Sequence, residues 1–144
     1  VDDEPNLGVL LFLPYRAMEN RVIAALREAG VELTVAQMKI VQRIGPNGTR
    51  LTDLAEQAQV TKQTAGFLVD QIERQGFVER VPDPTDARAR LIRISPSGEQ
   101  MLPVAGAAVA EVEAEWSRHL GPKKLLALRE ILSDLRTITD PWAP

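Results

Sequence analysis

Val60 to Ser95 reads VTKQTAGFLVDQIERQGFVERVPDPTDARARLIRIS, and this stretch decides the fold. Thr61 is a residue type that caps a helix N-terminus. Ala65, Leu68, Val69 and Ile72 follow at the spacing of one buried stripe in a helix running to Gln75. Gly76 is the stop. Phe77 to Val81 then reads as a strand, Pro82 to Asp86 as a turn region, and Arg90 to Ile94 as the return strand. Arg88, Arg90 and Arg93 follow Asp86 with no further acid among them. A polar-faced helix with a basic hairpin behind it has the layout of a winged helix-turn-helix: one element for the major groove, one for the backbone or minor groove.

Upstream of this stretch, residues 1–6 read as disordered. A helix is predicted from Leu7 to about Ala29, with Pro14 inside it as a kink or restart point and Gly30 as its end. Thr34-Val35-Ala36-Gln37 is a capping box opening a second helix to about Ile44. Asn47-Gly48 marks a turn, and Thr52 is the expected cap of a third helix through about Gln59. Downstream, Ser95-Pro96 opens a long helix to about His119, perturbed at Pro103. Gly121-Pro122 breaks it. A last helix over Lys123 to Thr137 places Leu125, Leu128, Leu132 and Leu135 on one stripe. The expected fold is thus mainly α. A winged helix-turn-helix DNA-binding domain spans 34–94, and a helical dimerisation region is formed by 7–29 and 95–138. Those terminal helices carry more apolar surface than one small module covers, which favours burial against a second copy over packing within the monomer.

Composition removes several function classes. The 144 residues include no cysteine and one histidine, His119. This excludes disulfides, thiol catalysis, thiol-based redox sensing and a multi-histidine metal site within one chain. With no phosphate-cradling glycine loop either, no nucleophile–base set can be assembled, and neither an enzyme nor a cofactor is expected. VDDEPN at the start is acidic where a signal peptide would be basic, and the apolar run Gly8 to Pro14 is too short to span a bilayer. The expectation is a cytoplasmic protein with no membrane partner. Net charge is −3, yet residues 39–93 hold nine Lys/Arg against seven Asp/Glu, so the acidic excess lies outside the candidate reader.

Leu51 to Gly98 resembles the MarR (multiple antibiotic resistance regulator) family of bacterial transcription factors. The resemblance rests on Leu54-Ala55, Val60-Thr61-Lys62, Val69-Asp70, Ile72-Glu73, Gly76, Val78-Glu79-Arg80, Asp83-Pro84, Asp86-x-Arg88, Leu91 and Ile94-Ser95-x-x-Gly98. Thr34-x-x-Gln37 and the order of flanking helices extend it over almost the whole chain. The resemblance implies a homodimer on a palindromic operator, most often a repressor. It also implies a cleft between the dimer helices and each lobe, through which a small phenolic or anionic ligand weakens DNA binding.

Roles follow residue by residue. Gln63 is the expected base reader, since an amide can bond adenine in two places, while Lys62 and Thr64 hold phosphates. Arg88 is expected in the minor groove, as the resemblance implies, oriented by an ion pair with Asp86. Arg90 shares its side of the strand; Arg93 faces the other way, toward solvent or an acid. Gly66 and Phe67 depart from the family, which usually places a polar and a basic residue there. Close approach to DNA is one reason for Gly66. Phe67 either touches a thymine methyl or packs on the neighbouring helix. Gln59 stands where a helix-turn-helix favours a small residue. Tyr15, Arg16, Glu19, Met38, Trp116 and His119 are the candidate ligand-cleft residues, each with an ordinary packing or capping role as the alternative. The competing function is a winged-helix protein-interaction module without DNA binding.

Overall fold

Side-chain caps set where the helices begin. In this computed structural model, which describes residues 3–143, Asn6 accepts a hydrogen bond from the Val9 N–H at 3.0 Å and opens α1 (Leu7–Glu28). Thr34 and Gln37 exchange both bonds of the capping box and open α2 (Val35–Val41). Thr61 accepts from the Thr64 N–H at 3.1 Å and opens α4 (Lys62–Arg74). Ser95 does the same for Gly98 at 3.0 Å and opens the short α5 (Pro96–Glu99). The disorder expected over 1–6 falls partly outside the described residues, and Asn6 is tied down as a cap.

α1 runs through Pro14 as one helix, as its expected bounds require, the proline removing one backbone bond without dividing it. Two other helical features differ from expectation. Thr52 does not cap α3 (Leu51–Ala58). Arg50 takes the cap position and makes no capping bond, its side chain being engaged elsewhere. The expected single helix after Ser95 is split into α5 and α6 (Leu102–Leu120), with Pro103 in the first turn of α6. In a continuous helix Pro103 would clash with the Glu99 carbonyl, whereas the first turn of a new helix tolerates it. α7 (Pro122–Thr139) follows Gly121.

The hairpin is longer than the sequence reading. β1 (Val78–Asp83) pairs antiparallel with β2 (Asp86–Ile94), from Val78 opposite Ile94 to Asp83 opposite Asp86, with a register irregularity between Pro82 and Asp83. A third backbone segment joins this sheet. Thr49, before α3, exchanges two 2.8 Å hydrogen bonds with Ile92 of β2.

One apolar core sits beneath these elements. Leu26 of α1, Ile40 of α2, Leu54 of α3, Val69 and Ile72 of α4 and Ile92 of β2 form its sealed centre. α6 joins it through Ala108 and packs along α1, where Arg21 forks onto Glu115 at 2.9 and 3.1 Å. The far end of α7 returns to the lobe. Asp140 accepts from Arg43 at 2.9 Å, and Arg43 in turn donates to Gln57 of α3 at 3.0 Å. α7 itself has no buried residue.

Gly98 marks a place where two segments touch at backbone distance. A Cβ there would lie 2.2 Å from the Phe77 carbonyl oxygen and 2.8 Å from Ile94 Cγ2. Overpacking of this kind costs about 1–3 kcal/mol. Gly98→Ala is therefore expected to lower the urea midpoint by a corresponding amount, and an unchanged midpoint would show that the α4–β1 junction yields freely.

Candidate nucleic-acid interface

The helix-turn-helix is α3, a tight turn, and α4. The turn passes through Gln59 in the left-handed region (φ 58°), the one non-glycine residue with positive φ among those described. Its side-chain amide donates to the Glu56 carbonyl at 2.6 Å, which holds the turn with a residue larger than the usual choice.

α4 buries Ala65, Leu68, Val69 and Ile72 and turns the opposite stripe outward. Gln63, Phe67, Asp70 and Arg74 lie on that stripe, with Lys62 and Thr64 exposed in the first turn. The Thr64 hydroxyl is engaged, accepting from Thr61 Oγ1 at 2.9 Å. Phe67 is 59% exposed, so the larger part of its ring is uncovered by any neighbouring helix. Gly66 has no structural need to be glycine. Its Cβ would meet only Leu51 Cδ2, at an ordinary 3.7 Å, and its φ is helical. Asp70 would place a negative charge on the outward stripe, but Arg80 of β1 bonds both Asp70 and Glu73, each at 2.7 Å. One guanidinium thus neutralises two acids of α4 and fixes the hairpin against it.

On the wing, Arg88 and Arg90 are exposed and have no acidic partner within ion-pair distance among the described residues. Arg93 faces the other side and pairs with Glu79, its cross-strand neighbour, at 2.6 Å. Lys62 is likewise unpaired. Asp86 does not ion-pair with Arg88. Its Oδ1 accepts the Arg88 backbone N–H at 3.0 Å, so it shapes the turn and leaves the guanidinium free.

The carboxylate that anchors the wing is Asp83, only 7% exposed. It accepts from the Thr85 N–H at 2.8 Å, the Thr85 hydroxyl at 2.7 Å and Arg50 Nε at 2.9 Å, and Arg50 Nη2 lies 2.8 Å away as an ion pair. The Thr85 bonds, then the Arg50 guanidinium, hold the Asp83 carboxyl well below its ordinary 3.8, at about 2. Arg50 escaped the sequence reading. An Asp-Pro-Thr turn does signal a side chain that bonds its own backbone two residues on, but nothing local to it identifies Arg50 as the partner.

The candidate ligand residues do not converge. Tyr15 and Trp116 line an apolar groove of about 430 Å³ between α1, α6 and α7, together with Leu10, Met18, Leu128 and Leu132. Arg16 stacks over Phe12 at 5.4 Å, and Met38 packs against the core. The Tyr15 hydroxyl donates to buried Glu19 at 2.6 Å and accepts from Gln42 at 3.2 Å, and desolvation raises its pKa. His119 is exposed near the end of α6. A separate, more polar cleft lies between α1 and the lobe, lined by Asn20, Arg27, Thr34, Gln37 and Gln75. No helix among the described residues is long and apolar enough to cross a membrane.

Residues 33–89 match the family model described as MarR family. The HTH-type transcriptional regulator FarR of Neisseria gonorrhoeae is 28% identical over 136 residues, which cover 94% of this chain and 92% of FarR. The transcriptional activatory protein BadR of Rhodopseudomonas palustris is 31% identical over 99 residues, 65% of this chain and 57% of BadR, so the chain spans little more than half of that relative. Among solved structures, wild-type MarR from E. coli superposes with a TM-score of 0.72 at 19% identity, covering 92% of this chain and 98% of that one. NadR in complex with 4-hydroxyphenylacetate gives 0.68 at 23%, covering 94% and 95%. The mainly helical fold with a two-stranded wing is the fold of these regulators.

The Asp83 anchor sets an acid limb of stability. A carboxyl that ionises at about 2 when folded and at its ordinary 3.8 when unfolded stabilises the fold above the higher value, and this stabilisation fades as pH falls between the two. Asp83→Asn should lower stability at neutral pH and flatten the decline below pH ~4, measured by urea unfolding across pH. An acid limb as steep as that of the unsubstituted chain would place the titrating group elsewhere.

Proposed function

We propose that the chain is a MarR-family transcriptional regulator, a homodimeric repressor that binds a palindromic operator and is released by a small ligand. The observation that carries the DNA-binding half is the distribution of unpaired cations. Arg88 and Arg90 stand exposed on the wing and Lys62 opens α4, while the lobe's acids Asp70, Glu73, Glu79 and Asp83 are each held by a structural arginine. In this reading Lys62, Gln63 and Thr64 enter the major groove, Arg88 lies in the adjacent minor groove, and Arg90 contacts phosphate. The dimer places two such lobes on half-sites about 34 Å apart, one helical turn.

The homodimer is supported by apolar surface the monomer leaves uncovered. Leu7, Leu10 and Leu11 on α1 and Leu126, Ile131, Leu132, Leu135 and Ile138 on α7 are exposed, Ile138 by 80%. Leu10, Leu11 and Leu132 among them line the Tyr15–Trp116 groove. The segments 7–29 and 95–138 are then the dimerisation region, and 34–94 the DNA-binding domain. The proposed effector is a phenolic or anionic molecule. NadR was solved with 4-hydroxyphenylacetate, and the cleft between α1 and the lobe offers Arg27 and several polar groups to such a ligand.

Arg88→Ala should weaken duplex binding about tenfold or more in fluorescence anisotropy, and Lys62→Ala should lower the salt slope by about one. Undiminished affinity for the Arg88 variant would remove the wing from the interface. Affinity that does not fall with salt would favour a protein-interaction module instead. By sedimentation the protein should be a dimer, and Leu132→Glu with Leu135→Glu should convert it to monomer; a dimer that persists would place the interface elsewhere.

A further inference from the structure

We propose that Gln63 and Phe67 form a two-residue reader of adjacent A·T pairs, Gln63 taking the adenine edge and Phe67 the thymine methyl. The inference rests on the reading above, that α4 enters the major groove. Three observations carry it. First, Gln63 and Phe67 are four residues apart on the outward stripe, hence neighbours one helical turn apart, close enough to meet successive base steps. Second, Phe67 is the one large apolar side chain of α4 turned out to solvent, and at 59% exposure most of it is left uncovered by the described chain. An exposed phenyl ring gains free energy by leaving water for contact with an apolar group. In a groove edged by hydrogen-bonding atoms that group is the C5 methyl of thymine. Third, Gly66 beside it has a helical φ and room for a Cβ within the lobe. A mid-helix glycine costs up to about 1 kcal/mol, so the absence of a side chain there answers to something outside the monomer, which is the close approach of the α4 backbone to the groove.

The surroundings select duplex DNA as the occupant of this face. Unpaired Lys62 and Arg74 lie at the two ends of α4, and unpaired Arg88 and Arg90 lie on the wing, a set of cations suited to two phosphate backbones. Asp70, next along the stripe, is drawn to Arg80 at 2.7 Å. The amide of Gln63 and the ring of Phe67 are therefore the base-directed groups of the stripe's N-terminal half, the end of a recognition helix that contacts base edges.

The test removes the methyl without touching the hydrogen bonds. Duplexes enriched by the whole protein from a random-sequence pool are remade with each thymine replaced in turn by deoxyuridine, and affinities are measured for the unsubstituted protein and for Phe67→Ala. The expected result is one thymine per half-site whose replacement weakens binding about fourfold, the effect of one buried methyl. Phe67→Ala should bind the thymine duplex with similarly reduced affinity and show no response at that position. In parallel, 7-deazaadenine at the neighbouring pair should weaken the unsubstituted protein and leave Gln63→Ala unaffected. Tight binding with no thymine sensitive to deoxyuridine overturns this inference alone, as does a Phe67→Ala variant that stays sensitive. Failure of the pool to enrich any sequence overturns the DNA-binding reading and this inference with it. Because the deoxyuridine scan is read on the unsubstituted protein, it stands whether or not either variant folds.

Discussion

The ion pair of Arg50 with Asp83 joins the two halves of the candidate reading surface. A helix-turn-helix and a β-hairpin are each locally specified, and neither dictates its angle to the other. Arg50 precedes α3, and Asp83 sits at the end of β1, 33 residues later. The guanidinium donates from Nε to Asp83 Oδ2, and Thr85 orients the other oxygen of the same carboxylate. The neighbouring Thr49–Ile92 bridge adds a pair of backbone bonds to the same joint, and Arg80 closes the other side by holding β1 to α4. With the joint in place, the hairpin and the recognition helix behave as one body. Without it, their exposed cations would have no shared geometry to offer a duplex.

This division of labour also explains how an acidic protein can present a basic face. Within 39–93, Arg43, Arg50, Arg80 and Arg93 are committed to acids of the fold. Each of these pairs is internal bookkeeping of charge, weak where it is exposed and more consequential where Asp83 is buried. Their combined effect is positional. The acids of the lobe are largely drawn into pairs, while Lys39, Lys62, Arg74, Arg88 and Arg90 are exposed and pair with no acid among the described residues, the last four of them on α4 and the wing. Net charge averages over this arrangement and conceals it.

What could be read from the residues was what depends on neighbours in sequence. The capping box at Thr34, the cap at Thr61, the Gly76 stop and the buried stripe of α4 all appear as expected, because each rests on contacts within one helical turn. The opposite facing of Arg90 and Arg93 followed from strand alternation, and Glu79 supplies the acid that Arg93 meets. What could not be read depends on contacts across the chain. Arg50 displaces Thr52 as the cap residue because its side chain has a distant partner. Asp83 outranks Asp86 because Thr85 and Arg50 both reach it. Tyr15 and Trp116 meet in one groove while Arg16 and Met38 do not, since that depends on how helices cross. Phe67 is the converse case. Its sequence context favoured packing on a neighbouring helix over contact with a thymine methyl, yet the side chain is 59% exposed.

The hairpin's register carries an evolutionary consequence. Along β2, Ala87 and Ala89 alternate with Arg88 and Arg90, and the connection is reduced to Pro84 and Thr85 between Asp83 and Asp86. Pro82 lies opposite Arg90 and Asp83 opposite Asp86, so Ala87, Arg88 and Ala89 have no partner on β1. A residue gained or lost in such a bulge is absorbed locally and leaves the ladder from Arg90 to Ile94 in register. Descendants of this chain can therefore vary the length of the hairpin tip while Arg93 stays opposite Glu79.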